Sequence, residues 1–134
     1  MEAWGVDLEV ISEMKPLVGY QSVLELTACK QGGIPPERLI LDPGFGFGKK
    51  TTHNLLLLNY LNRICEIGLP VLVGLSRKSF IGTMLKISVE ERICGSVALA
   101  ILAAWQGAVI VRTHDVRATM QALILCNRIK KAEK

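Results

Sequence analysis

The sequence predicts an α/β fold built around a parallel β-sheet. Three apolar segments are each followed by polar or charged residues, and these segments are Arg38–Leu41, Pro70–Gly74 and Val109–Val111. Asp42 precedes Ser76 by 34 residues, and Ser76 precedes Thr113 by 37. Each interval is about the length of one strand, one helix and two loops in a parallel repeat. Because the segments show no polar alternation, we expect strands buried on both faces.

The residues that follow these strands are expected to share one rim of the sheet. Parallel strands end at the same edge, and ligands bind there because the loops vary over a fixed scaffold. The rim side chains are Asp42, Arg77, Lys78, Arg112 and His114. Arg112 and His114 stand at i and i+2, on one side of the last strand. A guanidinium and an imidazole placed together predict a receptor for an anionic cluster of oxygens.

Helices are predicted between and around the strands. The predicted segments are Val6–Lys30, kinked or divided at Pro16 and Gly19, then Asn54–Ile67, Val89–Trp105 and Val116–Lys131. Ser88 and Glu91 have the spacing of a capping box, and Asp115 is placed to cap the last helix. The Gln31–Pro36 stretch, rich in glycine and proline, is expected to end the first segment.

Composition is typical of a single globular domain. The chain has 134 residues, of which 50% are hydrophobic and 21% charged, with a net charge of +4. The basic residues divide between the rim and a terminal run, Arg128–Lys134, without interleaved aromatics, which argues against nucleic-acid binding. We expect the run to form the solvated last turn of a helix. The start has no signal-peptide pattern and Val97–Trp105 is too short to span a bilayer, so a soluble, cytoplasmic protein is expected.

The four cysteines show no metal-ligand or redox spacing. They are Cys29, Cys65, Cys94 and Cys126, separated by 36, 29 and 32 residues. Each falls in a predicted helix, and no Cys-x-x-Cys pair or suitably spaced histidine is present. We therefore expect four free, small, buried hydrophobic side chains in a reducing compartment.

The glycine-rich stretch Asp42–Lys49 is the most unusual local sequence. A Walker loop has four residues between its first glycine and the Gly-Lys pair, whereas only three separate Gly44 from Gly48, so a nucleotide phosphate loop is excluded. Glycines permit unusual backbone angles and close ligand approach. Phe45 and Phe47, at i and i+2, are predicted to receive a flat aromatic substrate. A mobile loop with its phenylalanines packed on the protein is the alternative.

Four motifs in order resemble bacterial dihydropteroate synthase, a pterin-binding family. They are Asp-Pro-Gly-Phe-Gly-Phe-Gly-Lys at 42–49, Gly-Leu-Ser-Arg-Lys-Ser at 74–79, Glu-Arg-Ile-Cys-Gly-Ser at 91–96 and Arg-Thr-His-Asp-Val at 112–116. The resemblance begins near Ile34, which makes 1–33 a poorly matched helical lead-in within a single partial domain, 1–134. It implies the last three β-α units of a TIM-type (β/α)8 barrel, a fold of roughly 250 residues.

The resemblance also implies a reaction and its residues. The family is a transferase of folate biosynthesis and the sulfonamide target, which condenses 6-hydroxymethyl-7,8-dihydropterin diphosphate with p-aminobenzoate and releases diphosphate. The implied pterin-binding residues are Asp42, Gly74, Lys78 and Arg112. Phe47 and Ser79 match positions lining the p-aminobenzoate pocket. Arg112 and His114 would hold the diphosphate, and the implied catalytic residues are Lys78, Arg112 and His114.

Cofactor and partners follow from the same resemblance. It implies Mg²⁺ with its protein ligand outside this chain, and a homodimer formed by the last helices or a complementing chain. Neither nucleic acid nor membrane is an expected partner. A methyltetrahydrofolate–corrinoid methyltransferase is an alternative, although a methyl donor has no diphosphate for the Ser-Arg-Lys and Arg-x-His motifs to hold. A non-catalytic binding or assembly fragment also stays open.

Overall fold

The computed structural model describes residues 25–133, in which helices alternate with short strands. Residues 25–31 form helix α1, the described end of the predicted Val6–Lys30 segment, whose remainder lies outside the described residues. The later helices are α2 (Thr51–Asn59), α3 (Leu61–Cys65), α4 (Ser79–Leu85), α5 (Ile93–Gln106) and α6 (Val116–Lys131). The strands are β1 (Leu72–Val73) and β2 (Ile110–Val111), and 3-10 turns cover Pro36–Arg38 and Val89–Glu91.

The predicted parallel sheet is confirmed, with β1 at its centre. β1 pairs in parallel with β2, and Leu72 and Val73 lie opposite Ile110 and Val111. On the other side of β1, Leu41 forms a parallel bridge with Val71. Three successive strand segments therefore run in the same direction, with the first and last flanking the middle one.

The prediction that all three segments are buried on both faces is wrong for the outer two. Val71 and Val73 in the middle are 1% and 0% exposed, whereas Ile40 is 54% and Val109 67% exposed. The middle segment has strand neighbours on both sides, while within residues 25–133 each outer segment has one strand neighbour. The physical reason is that, within the described residues, no further strand packs beside either outer segment.

The hydrophobic core lies between the sheet and helices α2 and α3. Leu57, Leu61 and Ile64 from these helices pack with Val71 and Val73 of the central segment, and all are fully or almost fully buried. Burial of apolar surface on this scale is the main stabilising contribution to such a layer, at about 25 cal/mol per Å². The loops after the strands thus extend from a rigid base.

The predicted helix Asn54–Ile67 is interrupted at Tyr60 by a side chain from another helix. Gln106 on α5 donates its amide Nε2 to the Leu58 carbonyl at 2.6 Å, and its Oε1 accepts the Asn62 N–H at 3.1 Å. In an uninterrupted α-helix these two backbone groups would bond to each other. The inserted amide replaces that bond and divides the helix into α2 and α3.

The start of the predicted helix Val89–Trp105 also differs in the structure. Glu91 accepts hydrogen bonds from the backbone N–H and the hydroxyl of Ser88, both at 3.1 Å, and the predicted capping box between these two residues is confirmed. This pair opens the 3-10 turn, and the α-helix begins only at Ile93. Helix α4 was not predicted, because seven residues are too few for a clear helical period.

The last predicted helix, Val116–Lys131, is confirmed. Asp115 occupies its N-cap position, but the prediction that its side chain caps the helix is wrong, since no such hydrogen bond forms. Instead the carboxylate accepts two hydrogen bonds from Arg77, from Nε at 3.2 Å and from Nη2 at 2.7 Å. The bidentate pair joins two oppositely charged groups, whereas a cap bond would join the carboxylate to an uncharged N–H, which explains the exchange of partners.

The C-terminal basic residues lie in the last turn of α6, as expected. One of them, Lys130, is bound to a neighbouring helix. Its Nζ donates to the Trp105 carbonyl at 2.8 Å and lies 5.5 Å from the centre of the Trp105 ring. Because this carbonyl is at the C-terminal end of α5, the ammonium complements the negative end of that helix dipole.

The cysteines are free, as expected, but not uniformly buried. Cys126 is buried, Cys29 and Cys65 are half-buried, and Cys94 is exposed. Burial raises the pKa of the Cys65 thiol above its ordinary value. The expectation of four buried side chains is therefore wrong at Cys94, which lies near the solvent-facing start of α5. Among residues 25–133, every helix is too short or too polar to cross a lipid bilayer.

Acid should weaken the tie between Arg77 and Asp115. The Arg77 guanidinium holds the pKa of the Asp115 carboxyl below its ordinary value, chiefly through its hydrogen bond. The pair therefore contributes its full stability above the unfolded pKa of about 3.9 and loses it as pH falls through the lower folded pKa. We expect the free energy of unfolding of the wild type to decrease below about pH 4 more steeply than that of Asp115→Asn.

Urea denaturation of both proteins across this pH range measures the difference. Glu133→Gln, which removes an exposed carboxylate at the end of the described chain, is the control and should follow the wild type. Parallel pH profiles for the wild type and Asp115→Asn would contradict the assignment.

Candidate functional site

The loops after β1 and β2 enclose one cavity of about 520 Å³, within the range of small-molecule sites. Its lining residues are Gly74, Ser76, Arg77, Lys78, Ser79, Arg92, Arg112, Thr113 and His114. Five of these were given roles by the family resemblance: Gly74, Lys78, Ser79, Arg112 and His114. The two other residues with such roles, Asp42 and Phe47, contact this wall through Arg112 and Lys78 respectively.

The glycine-rich loop does not present its two phenylalanines together. Phe45 is 1% exposed and belongs to the core, whereas Phe47 is 64% exposed. The i and i+2 rule holds for extended strands, but Gly44, Gly46 and Gly48 all have positive φ angles, which turn successive side chains differently. The prediction that both phenylalanines receive a substrate is therefore wrong for Phe45. Phe47 alone faces outwards.

Asn54 fixes the loop from below and was missed by sequence reasoning. Its buried Oδ1 accepts the Gly46 N–H at 2.8 Å, and its Nδ2 donates to the Lys50 carbonyl at 3.2 Å. Lys49 closes the loop from the other side by donating to the Gly44 carbonyl at 2.8 Å. A lone amide in the first turn of a leucine-rich helix was the available signal.

Lys78 extends over the loop and contacts Phe47. Its Nζ lies 4.4 Å from the centre of the Phe47 ring, within cation–π distance. The lysine stem passes so close to Gly46 that a Cβ there would lie 3.2 Å from Lys78 Cδ. A residue without a side chain is needed at position 46 for this approach and for its φ of 81°. The loop and the lysine thus form one wall.

Arg112 lies flat against the backbone of the neighbouring strand. A Cβ at Gly74 would overlap its guanidinium group, so glycine is required there for close packing. Arg112 Nη1 lies 4.0 Å from Oδ2 of Asp42, and the Asp42 Oδ1 accepts the Gly44 N–H at 2.9 Å. The arginine and the carboxylate are both exposed. A loose, exposed pair of this kind can exchange its partners for those of a ligand.

His114 is oriented by Ser76. The buried Ser76 hydroxyl accepts the His114 backbone N–H at 3.0 Å and lies 2.9 Å from the imidazole Nδ1. Since Nδ1 is occupied, Nε2 is the ring nitrogen available to the cavity. A hydroxyl that donates to Nδ1 stabilises the tautomer with a proton on Nε2, which is then a donor.

Arg77 lines the cavity, but its charge is already paired. The two hydrogen bonds to Asp115 raise the pKa of the guanidinium above its ordinary value, and the Asp115 side chain is only 12% exposed. Arg77 was counted among the rim cations from sequence. The structure leaves Lys78, Arg112 and Arg92 as the cavity's other cationic side chains.

The described residues contain no cluster of three metal-ligating side chains. Within residues 25–133, no three His, Cys, Asp or Glu side chains lie close enough to hold an ion. Asp42, at the rim, bonds a backbone amide and faces Arg112, an environment that disfavours a cation.

Similar proteins share this region of sequence and structure. Residues 11–114 match the family of pterin binding enzymes. Dihydropteroate synthase of Escherichia coli is 50% identical over 99 residues, which are 74% of this chain and 35% of that protein. The Xanthomonas albilineans dihydropteroate synthase, solved with 4-aminobenzoic acid, has 44% identity and a TM-score of 0.82 over 92% of this chain and 46% of that one.

A second solved structure gives a similar match. The Coxiella burnetii dihydropteroate synthase, solved in complex with pteroic acid, has 39% identity and a TM-score of 0.81, and the match covers 92% of this chain and 46% of that one. The chain therefore spans about a third of the length of the curated relative it matches. The matched residues include the glycine-rich loop, both strands and the cavity wall, and the chain belongs to the pterin-binding enzyme family.

Proposed function

We propose that this chain is part of a dihydropteroate synthase and carries the wall that holds the pterin and its diphosphate. The observation that carries the proposal is the convergence of Arg112, His114 and Lys78 on one cavity beside the Asp42 carboxylate. Cations and a hydrogen-bond donor placed at a leaving group stabilise the charge that develops there. The similarity to proteins solved with 4-aminobenzoic acid and with pteroic acid supports this assignment.

The fold placement is part of the proposal. The three strand segments, each followed by helices, would be the last three β-α units of a (β/α)8 barrel, with the cavity at the carboxyl ends of the strands. The exposure of Ile40 and Val109 at the outer segments supports this, since neighbouring strands would cover them. The first five units would then supply the opposite wall.

Arg112 is assigned the central position. Its guanidinium plane, held against Gly74, would lie over the pterin face, with its edge towards the diphosphate. Asp42 would accept hydrogen bonds from the pterin amino and ring N–H groups, exchanging its 4.0 Å contact with Arg112 for the ligand. Nε2 of His114 would donate to the diphosphate, because Ser76 occupies Nδ1.

The p-aminobenzoate site would lie beside Lys78. Lys78 Nζ lies 4.4 Å from the centre of the exposed Phe47 ring, and Ser79, the first residue of α4, lines the same cavity as the lysine. In the proposed reaction the amino nitrogen of p-aminobenzoate bonds to the methylene carbon of the pterin. The bond from that carbon to the diphosphate oxygen breaks, its electron pair leaves with the diphosphate, and the amine releases a proton. Holding the two substrates together contributes much of the acceleration.

Magnesium is assigned to the whole enzyme and not to these residues. The resemblance implies Mg²⁺, which would neutralise diphosphate charge, and the described side chains include no group of three metal ligands. Its protein ligand is proposed to belong to the first five units.

The rival functions are weighed against the same cavity. The corrinoid methyltransferase alternative needs no receptor for an anionic leaving group. The presence of both Arg112 and His114 in the cavity lining therefore disfavours it. The assembly-fragment alternative keeps the same residues as an anion site without catalysis. Activity and anion binding separate these alternatives.

The first prediction concerns catalysis. We expect negligible dihydropteroate formation by the 134-residue chain alone and activity when a fragment supplying the first five units is added, because the chain by itself holds only one wall. Lys78→Ala should lower kcat/KM of the mixture by about 100-fold or more. Lys131→Ala, at the exposed end of α6, is the matched control. Robust turnover by the chain alone, or undiminished activity of Lys78→Ala, would contradict these assignments.

A second prediction concerns anion binding by the chain itself. Diphosphate at about 100 times its Kd adds about 2.7 kcal/mol to the stability of a protein that binds it, so the melting temperature should rise by several degrees. The rise should be lost in Arg112→Ala and reduced in His114→Ala. Arg128→Ala, on the exposed last turn of α6, should behave as the wild type. Equal shifts in all four proteins would exclude the proposed receptor.

A third prediction concerns assembly through α5 and α6. Large apolar side chains are exposed on these helices, namely Leu102, Trp105, Met120, Ile124, Leu125 and Ile129. We propose that this surface associates with a second copy. Sedimentation should show a dimer at micromolar concentration, and Ile124→Glu should shift it towards monomer. Leu56→Glu on α2 is the control, because Leu56 and Ile124 are both 48% exposed. A compact wild-type monomer would contradict the proposal.

A further inference from the structure

Arg77 has a backbone conformation that is unusual for a residue with a side chain. Its φ is 55°, in the left-handed region that favours glycine. Within the described residues the other such non-glycine residue is Lys86, at the C-cap of α4, where that conformation is common. Arg77 lies instead inside the cavity loop, between Ser76 and Lys78. Such a conformation persists only where the surrounding structure holds it.

Each polar part of Arg77 is bound to the start of a neighbouring helix. Its backbone N–H donates to the Ser96 hydroxyl at 2.8 Å, and its carbonyl accepts from Arg92 Nη1 at 3.0 Å. Its guanidinium makes the two bonds to Asp115. Ser96 and Arg92 are themselves joined, since the Ser96 hydroxyl donates to the Arg92 carbonyl at 2.6 Å. Two helices, α5 and α6, thus hold one residue.

The conformation of Arg77 determines the direction of the next side chain, Lys78. Lys78 is the N-cap of α4, and its stem lies against Gly46 and its Nζ over Phe47. Rotation of the backbone at Arg77 would redirect Lys78 away from the glycine-rich loop. A displacement of about 1 Å is sufficient to reduce a rate by about 100-fold.

We propose that Arg92, Ser96 and Asp115 are positioning residues for Lys78, which act by holding Arg77 in its left-handed conformation. Each of the three contacts Arg77. Arg92 and Ser96 belong to the 91–96 motif, to which no role was assigned from sequence. The structural part of the proposal concerns Lys78 alone, and its catalytic part rests on the proposed function.

Lysine labelling tests the structural part without any substrate. The rate of acylation of Lys78 relative to Lys131 should rise severalfold in Ser96→Ala and in Asp115→Asn, because the Lys78 ammonium loses its contact with the Phe47 ring. Ser88→Ala is the matched control and should leave the Lys78 rate unchanged. Ser88 precedes α5, as Arg92 does, but its hydroxyl bonds Glu91. Lys49, bound to the Gly44 carbonyl, is the internal control and should keep its wild-type rate.

Unchanged labelling of Lys78 in both variants would overturn the proposal, and so would an equal rise at Lys49, which indicates general loosening. With the complementing fragment, we expect kcat to fall by about 10- to 100-fold in both variants, with a smaller change in KM for the pterin diphosphate. Wild-type kcat in variants with raised Lys78 labelling would overturn the catalytic part. If the complemented wild type is inactive, the proposed function fails while the labelling result still decides the positioning.

Discussion

Backbone pairing on both sides of the central strand segment determines where the cavity residues lie. The Leu41 amide bonds to the Pro70 carbonyl at 2.8 Å on one side, and the Arg112 amide bonds to the Val73 carbonyl at 2.9 Å on the other. These bonds fix where each strand segment ends. Because the pairing is parallel, the ends lie at one edge, and Asp42, Lys78 and Arg112 meet there although they are far apart in sequence. The apolar core beneath the sheet keeps this edge rigid.

The charges at this edge divide into two classes with different uses. Arg77 and Asp115 form a short bidentate pair with little exposure of the carboxylate, and such a pair holds two loops together. Arg112 and Asp42 are separated by 4.0 Å and are exposed, so little free energy opposes their separation by a ligand. If the site binds and releases an anion, as proposed, cations of the second class are the ones suited to it. The Arg77–Asp115 pair, of the first class, supplies the framework that positions such cations.

The sequence was a good guide to features set by local or repeating patterns. Strand spacing predicted the parallel sheet and the rim, and the helix predicted over Val116–Lys131 has the bounds of α6. Features set by contacts between distant residues could not be predicted. Gln106 divides a helix 44 residues away, and Asp115 pairs with Arg77, 38 residues away. The separation of Phe45 from Phe47 depends on three positive φ angles, which glycines permit but do not require.

The exposure of Arg112 affects the electrostatics of the site. Arg112 is 57% exposed, so bulk water screens its attraction for an anion, and an interaction at 4 Å is worth only about 1 kcal/mol in water. The same contact strengthens severalfold where the surroundings exclude water and the effective dielectric constant falls to about 20. A second wall over the cavity would therefore add catalytic power without adding a charged residue, because it would increase the effect of the cations already in place. In the proposed barrel, the cavity of this chain would supply the charged groups, and the other units would supply the dielectric environment in which those groups act.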